Sequence, residues 1–148
     1  MTKEEVLSRI KKKFDRDIGI IREQSPRRVY IDLKTSQSIK AICAYMFSQI
    51  GARFITASAS DNLDAMEVMY HFSLDSSKTV LTFKAVIDRA KPVIDSITPV
   101  ITGAEWIERE MHELFGIDFK GHPCLKPLLL REDWPTDKNP MRKDYKIE

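Results

Sequence analysis

The side chains of this chain that could do chemistry crowd into residues 106–145, which read WIEREMHELFGIDFKGHPCLKPLLLREDWPTDKNPMRKDY. Glu108, Arg109, Glu110, His112 and Glu113 come first, and His122 and Cys124 follow in a Gly-His-Pro-Cys turn. A metal centre would draw on His112, His122 and Cys124, with Glu108 and Glu113 as carboxylates. A thiol nucleophile would set Cys124 beside His122. A structural zinc site needs four well-spaced ligands, and a nucleophilic thiol needs an oriented base. His122-Pro123-Cys124 supplies only two candidate ligands in one tight turn, and the chain has no CxxC, HExxH, GxGxxG or Walker pattern. The expectation is no catalytic residue, no metal and no cofactor bound by this chain.

The other use for such a stretch is recognition. Thr102-Gly103-Ala104-Glu105 has the form of a capping box, which predicts a helix from there to about Phe115, stopped by Gly116. Ile107, Met111, Leu114 and Phe115 form its expected buried face, and Glu105, Glu108, Arg109 and His112 its expected outer face. Arg109 has Glu105 four residues before it and Glu113 four after, so it could bridge both. Each exposed pair of that kind contributes about 0.2–0.5 kcal/mol, so helix stability does not require the pattern. Charges desolvated at an interface do require specific complements. Leu125, Pro127, Leu128, Leu129 and Leu130 are too apolar for an ordinary loop, which predicts an extended tail packed on another subunit. Trp134 is the expected anchor, since Trp and Arg dominate interface energetics.

The elements that position this stretch are legible upstream. The chain has 148 residues, 43% hydrophobic and 31% charged, which suits one soluble globular domain with a real core. Val6, Leu7, Ile10 and Phe14 predict a helix over about 3–14. Residues 18–22 are a strand candidate, Ser25-Pro26 a turn, and the alternation of Val29, Ile31 and Leu33 a half-buried strand. Ile39, Ile42, Cys43, Met46, Phe47 and Ile50 form a helical stripe with Thr35 or Ser36 as cap and Gly51 as left-handed stop. Residues 54–59 are strand-like, and Asp61-Asn62-Leu63-Asp64 is a turn. Residues 66–74 and 79–87 read as strands of an antiparallel hairpin joined by Asp75-Ser76-Ser77-Lys78. His71 falls on the polar side of its strand, solvated or locally hydrogen-bonded. The order implies an α+β fold, with helices on one face of a mixed or antiparallel sheet, then a charged helix and an extended docking tail. The organisation is a scaffold over 1–90, a connector over 91–102 bracketed by Pro92 and Pro99, and a signature segment over 103–148, within one structural domain.

Several function classes recede. Net charge is +2, and 22 acidic residues balance the clusters Lys11-Lys12-Lys13, Arg27-Arg28 and Arg142-Lys143, which weakens a nucleic-acid reading. No apolar run is long enough to cross a bilayer. The N-terminus lacks the apolar core of a secretory signal, so cytoplasmic synthesis without export is the default. Cys43 and Cys124 are then expected as reduced thiols, with Cys43 a small buried hydrophobe.

At this point two spaced motifs carry a resemblance. Glu108-Arg109-Glu110, Glu113-Leu114-Phe115, the following Gly-Ile-Asp-Phe-Lys-Gly and His122 resemble the signature of the 30 kDa subunit family of respiratory complex I. Pro140-Met141-Arg142-Lys143-Asp144-Tyr145 resembles that family's closing motif. The resemblance implies a cofactor-free hydrophilic subunit on the cytoplasmic side of the cell membrane, reaching the membrane only through its complex. Its implied partners are a large subunit similar to that of nickel–iron hydrogenases and a neighbouring iron–sulfur subunit. Iron–sulfur clusters, and nickel–iron in some relatives, belong to those partners. The implied interface comprises Glu108, Arg109, Glu110, Glu113, His122, Lys126, Trp134, Arg142, Lys143 and Asp144. Lys126 stands where the family usually has Arg, and Cys124 where it usually has Asp. With the missing C-terminal extension, these departures favour a shorter relative of the hydrogenase or archaeal type.

Overall fold

A computed structural model describes residues 1–147. Helix α1 (Lys3–Lys13) opens the fold. A capping box starts it: the Glu5 N–H donates to Thr2 Oγ1 (3.2 Å) and the Thr2 N–H to Glu5 Oε2 (2.9 Å). Strands β1 (Ile18–Ser25) and β2 (Arg28–Leu33) follow, then helix α2 (Ile39–Tyr45), which widens into a π-helical turn over Met46–Ile50. Strands β3 (Arg53–Asp61), β4 (Met66–Leu74) and β5 (Thr79–Ile87) complete the main sheet. Its spatial order is β1-β2-β5-β4-β3. All neighbours are antiparallel except β2 and β5, which run parallel because α2, β3 and β4 form the crossover between them.

Period-two alternation decides the faces. Met66, Val68, Tyr70 and Phe72 of β4 and Leu81, Phe83 and Ala85 of β5 are wholly buried on one face. Phe54, Phe72 and Phe83 meet edge to face, with ring centroids 5.5 and 6.0 Å apart. The opposite face is polar. Asp32 lies 3.3 Å from Arg22 and 3.5 Å from Lys84, and Lys84 is 3.6 Å from Glu67. His71 is hydrogen-bonded to Ser58 (3.0 Å) and Thr82 (2.8 Å), and burial, with Arg28 nearby, lowers its pKa. The locally bonded alternative for His71 is therefore the one realised.

Three expectations change. Phe47 is 45% exposed, because the π-helical turn shifts the phase of the stripe that buries Ile39, Ile42, Cys43 and Met46. The expected connector holds strand β6 (Val93–Asp95), which pairs in parallel with β7 (Asp118–Lys120), and it buries Ile94, Ile97 and Ile101. The capping box expected at Thr102 does not form. Residues 102–104 make a 3₁₀ turn before helix α3 (Glu105–Phe115), so Thr102 lies inside that turn and not at the extended N-cap position a box requires. Gly116 does end α3, in the left-handed conformation at φ 77°.

Candidate functional site

Helix α3 has an inner face and a strap-facing side. Ala104, Glu108, Met111 and Phe115 follow helical spacing and are buried. Glu108, expected on the outer face, is 0% exposed. Its Oε1 accepts the Ile97 N–H at 2.8 Å, which ties α3 to the segment after β6. Its Oε2 and the Tyr70 hydroxyl are buried without a hydrogen-bond partner among the described residues. Burial pushes the Glu108 carboxyl up to about 7, against the opposing pull of Ser96 and the Ile97 N–H. Burial, then Cys43, Glu108 and Asp95, raises Tyr70 well above the ordinary phenol range, and burial raises Cys43.

The strap-facing side holds the segment 121–145 by bonds to main-chain groups. The Glu113 carboxylate accepts the N–H groups of Leu128, Leu129 and Leu130, at 2.8–3.1 Å through Oε1 and 3.0–3.3 Å through Oε2. Arg109 does not bridge Glu105 and Glu113. Its Nε donates to the Lys126 carbonyl (2.9 Å) and Nη2 to the Pro127 carbonyl (2.8 Å). The guanidinium fork thus meets two consecutive carbonyls of the strap. Asn139 Nδ2 donates to the Glu113 carbonyl at 3.0 Å, and the Met141 N–H to the Leu114 carbonyl at 2.9 Å.

The closing motif fastens the strap to the scaffold. Arg142 donates to the carbonyls of Phe115 (3.2 Å) and Arg89 (3.3 Å). The Lys143 N–H donates to Asp61 Oδ2 at 2.9 Å. Asp61 also takes both arms of Arg89, at 2.7 and 2.9 Å, and the Leu63 N–H at 2.9 Å. The Arg89 guanidinium, helped by those N–H groups and opposed by burial, holds the Asp61 carboxyl well below the usual range. Asp144 sits 3.5 Å from Arg89 and 3.4 Å from Arg142. Asp61 and Arg89 were missed in the sequence, where Asp61 reads as a turn residue. Nothing in local spacing joins either one to Lys143.

The remaining candidates are also placed. The Cys124 N–H donates to His122 Nδ1 at 2.9 Å, so Nε2 carries the proton that meets the Glu105 carbonyl at 2.9 Å. Both ring nitrogens are thereby committed, leaving His122 neither a lone pair for a metal nor a base for the Cys124 thiol. Trp134 donates to the Lys138 carbonyl (2.7 Å) and stacks on Tyr145 at 6.4 Å, beneath Arg131. Glu110 is half-buried, and Lys126 is exposed and contributes only its carbonyl to the clamp. The tail expected against another subunit therefore lies on its own helix along its inner edge. Leu125 packs against the core, while Leu129 (63%), Met141 (56%) and, on α3, Trp106 (68%) stay exposed.

Residues 33–148 match the family described as respiratory-chain NADH dehydrogenase, 30 Kd subunit. The chain is 35% identical over 138 residues to an F(420)H(2) dehydrogenase subunit of Methanosarcina mazei, covering 90% of this chain and 85% of that one. It is 30% identical over 144 residues to an NADH-quinone oxidoreductase subunit of Chloroherpeton thalassium, covering 94% of this chain and 59% of the relative, less than two thirds of its length. The corresponding protein of Trichlorobacter lovleyi is 31% identical, with 89% and 83% covered, so length alone does not separate the archaeal and NADH-linked types. Two solved structures share the fold at 21% identity. One is a chain of the membrane-bound sulfane sulfur reductase, an archaeal respiratory membrane complex, with TM-score 0.81 over 97% of this chain and 85% of that one. The other is the Nqo5 fragment 1–134, with TM-score 0.70 over 84% of this chain and all of the fragment.

Proposed function

The chain belongs to the 30 kDa subunit family of respiratory-chain NADH dehydrogenases, and from that membership we propose that α3 and the strap 121–145 form its docking face for the large subunit of a membrane-bound oxidoreductase. Membership and the named relatives make it a subunit of a multi-subunit respiratory complex. Among the described residues no helix is long and apolar enough to cross a membrane, which fits a peripheral place in that complex. In this reading the large subunit resembles that of nickel–iron hydrogenases, an iron–sulfur subunit lies alongside, and electrons pass through the partners' clusters. The chain sits on the cytoplasmic side and binds no cofactor itself.

One observation carries the docking reading. Trp106, Leu129 and Met141 are 68%, 63% and 56% exposed on a helix and strap whose main chain is pinned from within. Apolar side chains on a backbone that is already ordered bind at lower entropic cost. The buried Glu108 and Glu113 bind main-chain groups of this chain, so in this reading they shape the face and the exposed residues touch the partner. Trp106→Glu combined with Leu129→Asp should abolish co-purification of the large subunit while leaving the unfolding midpoint unchanged. Undiminished co-purification would count against the docking face. Arg109→Glu should also lose the partner, but by freeing the Lys126–Pro127 segment, seen as faster proteolysis of the strap.

A further inference from the structure

The turn between β3 and β4 carries an exposed leucine where the backbone does not favour one. Its four residues, 62–65, are closed by the Asn62 N–H, which donates to the Ala65 carbonyl at 3.0 Å. Leu63 has φ 70°, in the left-handed region, where a bulky side chain crowds the main chain and glycine or asparagine is the usual occupant. Among the described residues only one other non-glycine, Lys78, has a positive φ. A leucine kept in such a place for the sake of its own fold should bury its side chain, yet Leu63 is 60% exposed. A lone exposed leucine is ordinary. One that also holds an unfavourable backbone conformation does little for its own fold, which points to a use outside it.

The turn is also fixed to the docking face. The Leu63 N–H donates to Asp61 Oδ1 and the Lys143 N–H to Asp61 Oδ2, both at 2.9 Å, so one carboxylate joins the turn to the closing motif. Arg89 locks that carboxylate with two further bonds. Met141, 56% exposed, lies two residues before Lys143. Lys143 is anchored through its main chain, and its ammonium has no partner among the described residues. The adjacent Asp144 is already shared by Arg89 and Arg142. We propose that the β3–β4 turn extends the docking face onto the scaffold, Leu63 entering an apolar surface of the large subunit and Lys143 meeting a carboxylate of that subunit. An apolar side chain near an unpaired cation selects a partner segment that carries the complementary pair. The assignment rests on the docking reading above and adds to it a residue outside α3 and the strap.

The test uses the full chain in the assembled complex. Each variant is co-expressed with the unaltered chain, and the ratio of the two in the purified complex is read by mass spectrometry. Leu63→Asn tolerates the left-handed backbone and removes the apolar side chain. It should be outcompeted about ten- to a hundredfold, the worth of one buried leucine side chain, in a protein whose urea unfolding midpoint is unchanged or raised. Leu63→Met keeps an apolar side chain and should assemble nearly as well as the unaltered chain. Lys143→Glu keeps the main-chain bond to Asp61 and should be outcompeted, while Lys143→Arg should not. Equal assembly of Leu63→Asn, or a midpoint that falls along with assembly, overturns the proposal. Equal assembly of Lys143→Glu overturns the carboxylate contact. Trp106→Glu with Leu129→Asp separates this contact from the α3 and strap face. If that pair loses the partner and Leu63→Asn does not, the docking face stands and its extension fails. If Leu63→Asn alone loses it, the turn is the contact and the α3 face fails. Loss with neither overturns both.

Discussion

Strands β4 and β5 align nine residue pairs in register, over a face filled by Tyr70, Phe72 and Phe83. Residues 121–145 contain no strand and little buried apolar surface; Glu113, Arg109, Arg142 and Asp61 hold them through main-chain carbonyls and N–H groups. In the sheet each side chain is one of many that fill a shared volume. In the strap one carboxylate satisfies three N–H groups, so the loss of one side chain unfastens a whole turn. The expectation is therefore that the scaffold unfolds as a unit and that the strap can open separately once one of these side chains is lost. Helix α3 joins the two regimes, with Glu108, Met111 and Phe115 in the core and Arg109 and Glu113 on the strap.

The comparison can be broken most directly in the core. Phe83→Ala removes a fully buried ring from the Phe72 contact and should cost about 3–5 kcal/mol in urea unfolding. A much smaller loss would mean that the sheet is not the cooperative unit.

Glu108 tests the joint between the regions. Its carboxyl is raised from 4.5 to about 7 in the folded chain, so the unfolded chain ionises first as pH rises. Its contribution is present in full below pH 4.5 and is lost as pH climbs through about 7. The expected loss between those limits is about 3 kcal/mol. Glu108→Gln keeps an acceptor for the Ile97 N–H and should flatten that slope. Asp61 runs the other way: its folded pKa is depressed, so its contribution holds above the unfolded value of 3.8 and fades as pH falls through the folded one. Urea midpoints between pH 3 and 8 should therefore fall at both ends, and an unchanged high-pH limb in Glu108→Gln would contradict the assignment.

The smallest expected effect sharpens the contrast. Glu113→Ala should cost about 1–3 kcal/mol, because it removes a charged acceptor from three partly buried N–H groups of the strap. Amide exchange at Leu128, Leu129 and Leu130 should accelerate while the β4 and β5 amides hold. Parallel acceleration in the sheet would show that strap and scaffold are one unit.

Much of the scaffold was legible because its signals are local. Alternation along β4 needs only neighbouring residues, and Thr35 and Gly51 mark the start and end of the α2 segment as their chemistry requires. The π-helical turn that turns Phe47 outward left no mark, since it depends on how the helix end meets the sheet. In α3, the charge of Glu108 suggests the outer face while its spacing places it inside. Positions 104, 108, 111 and 115 were already on one face, and the Ile97 N–H that makes burial of a carboxyl tolerable lies in a segment read as a connector.

The sequence by itself determined the main helices, the strands of the five-stranded sheet, their order and the family, because periodicity, turn residues and two spaced motifs are properties of adjacent positions. Only the tertiary structure decided where the charged signature points. Residues such as Glu113, Arg109, Arg142 and Asp61 bind whichever main-chain donors and acceptors folding leaves unpaired nearby. Those groups come from turns far along the chain, so no pattern of neighbouring residues announces them.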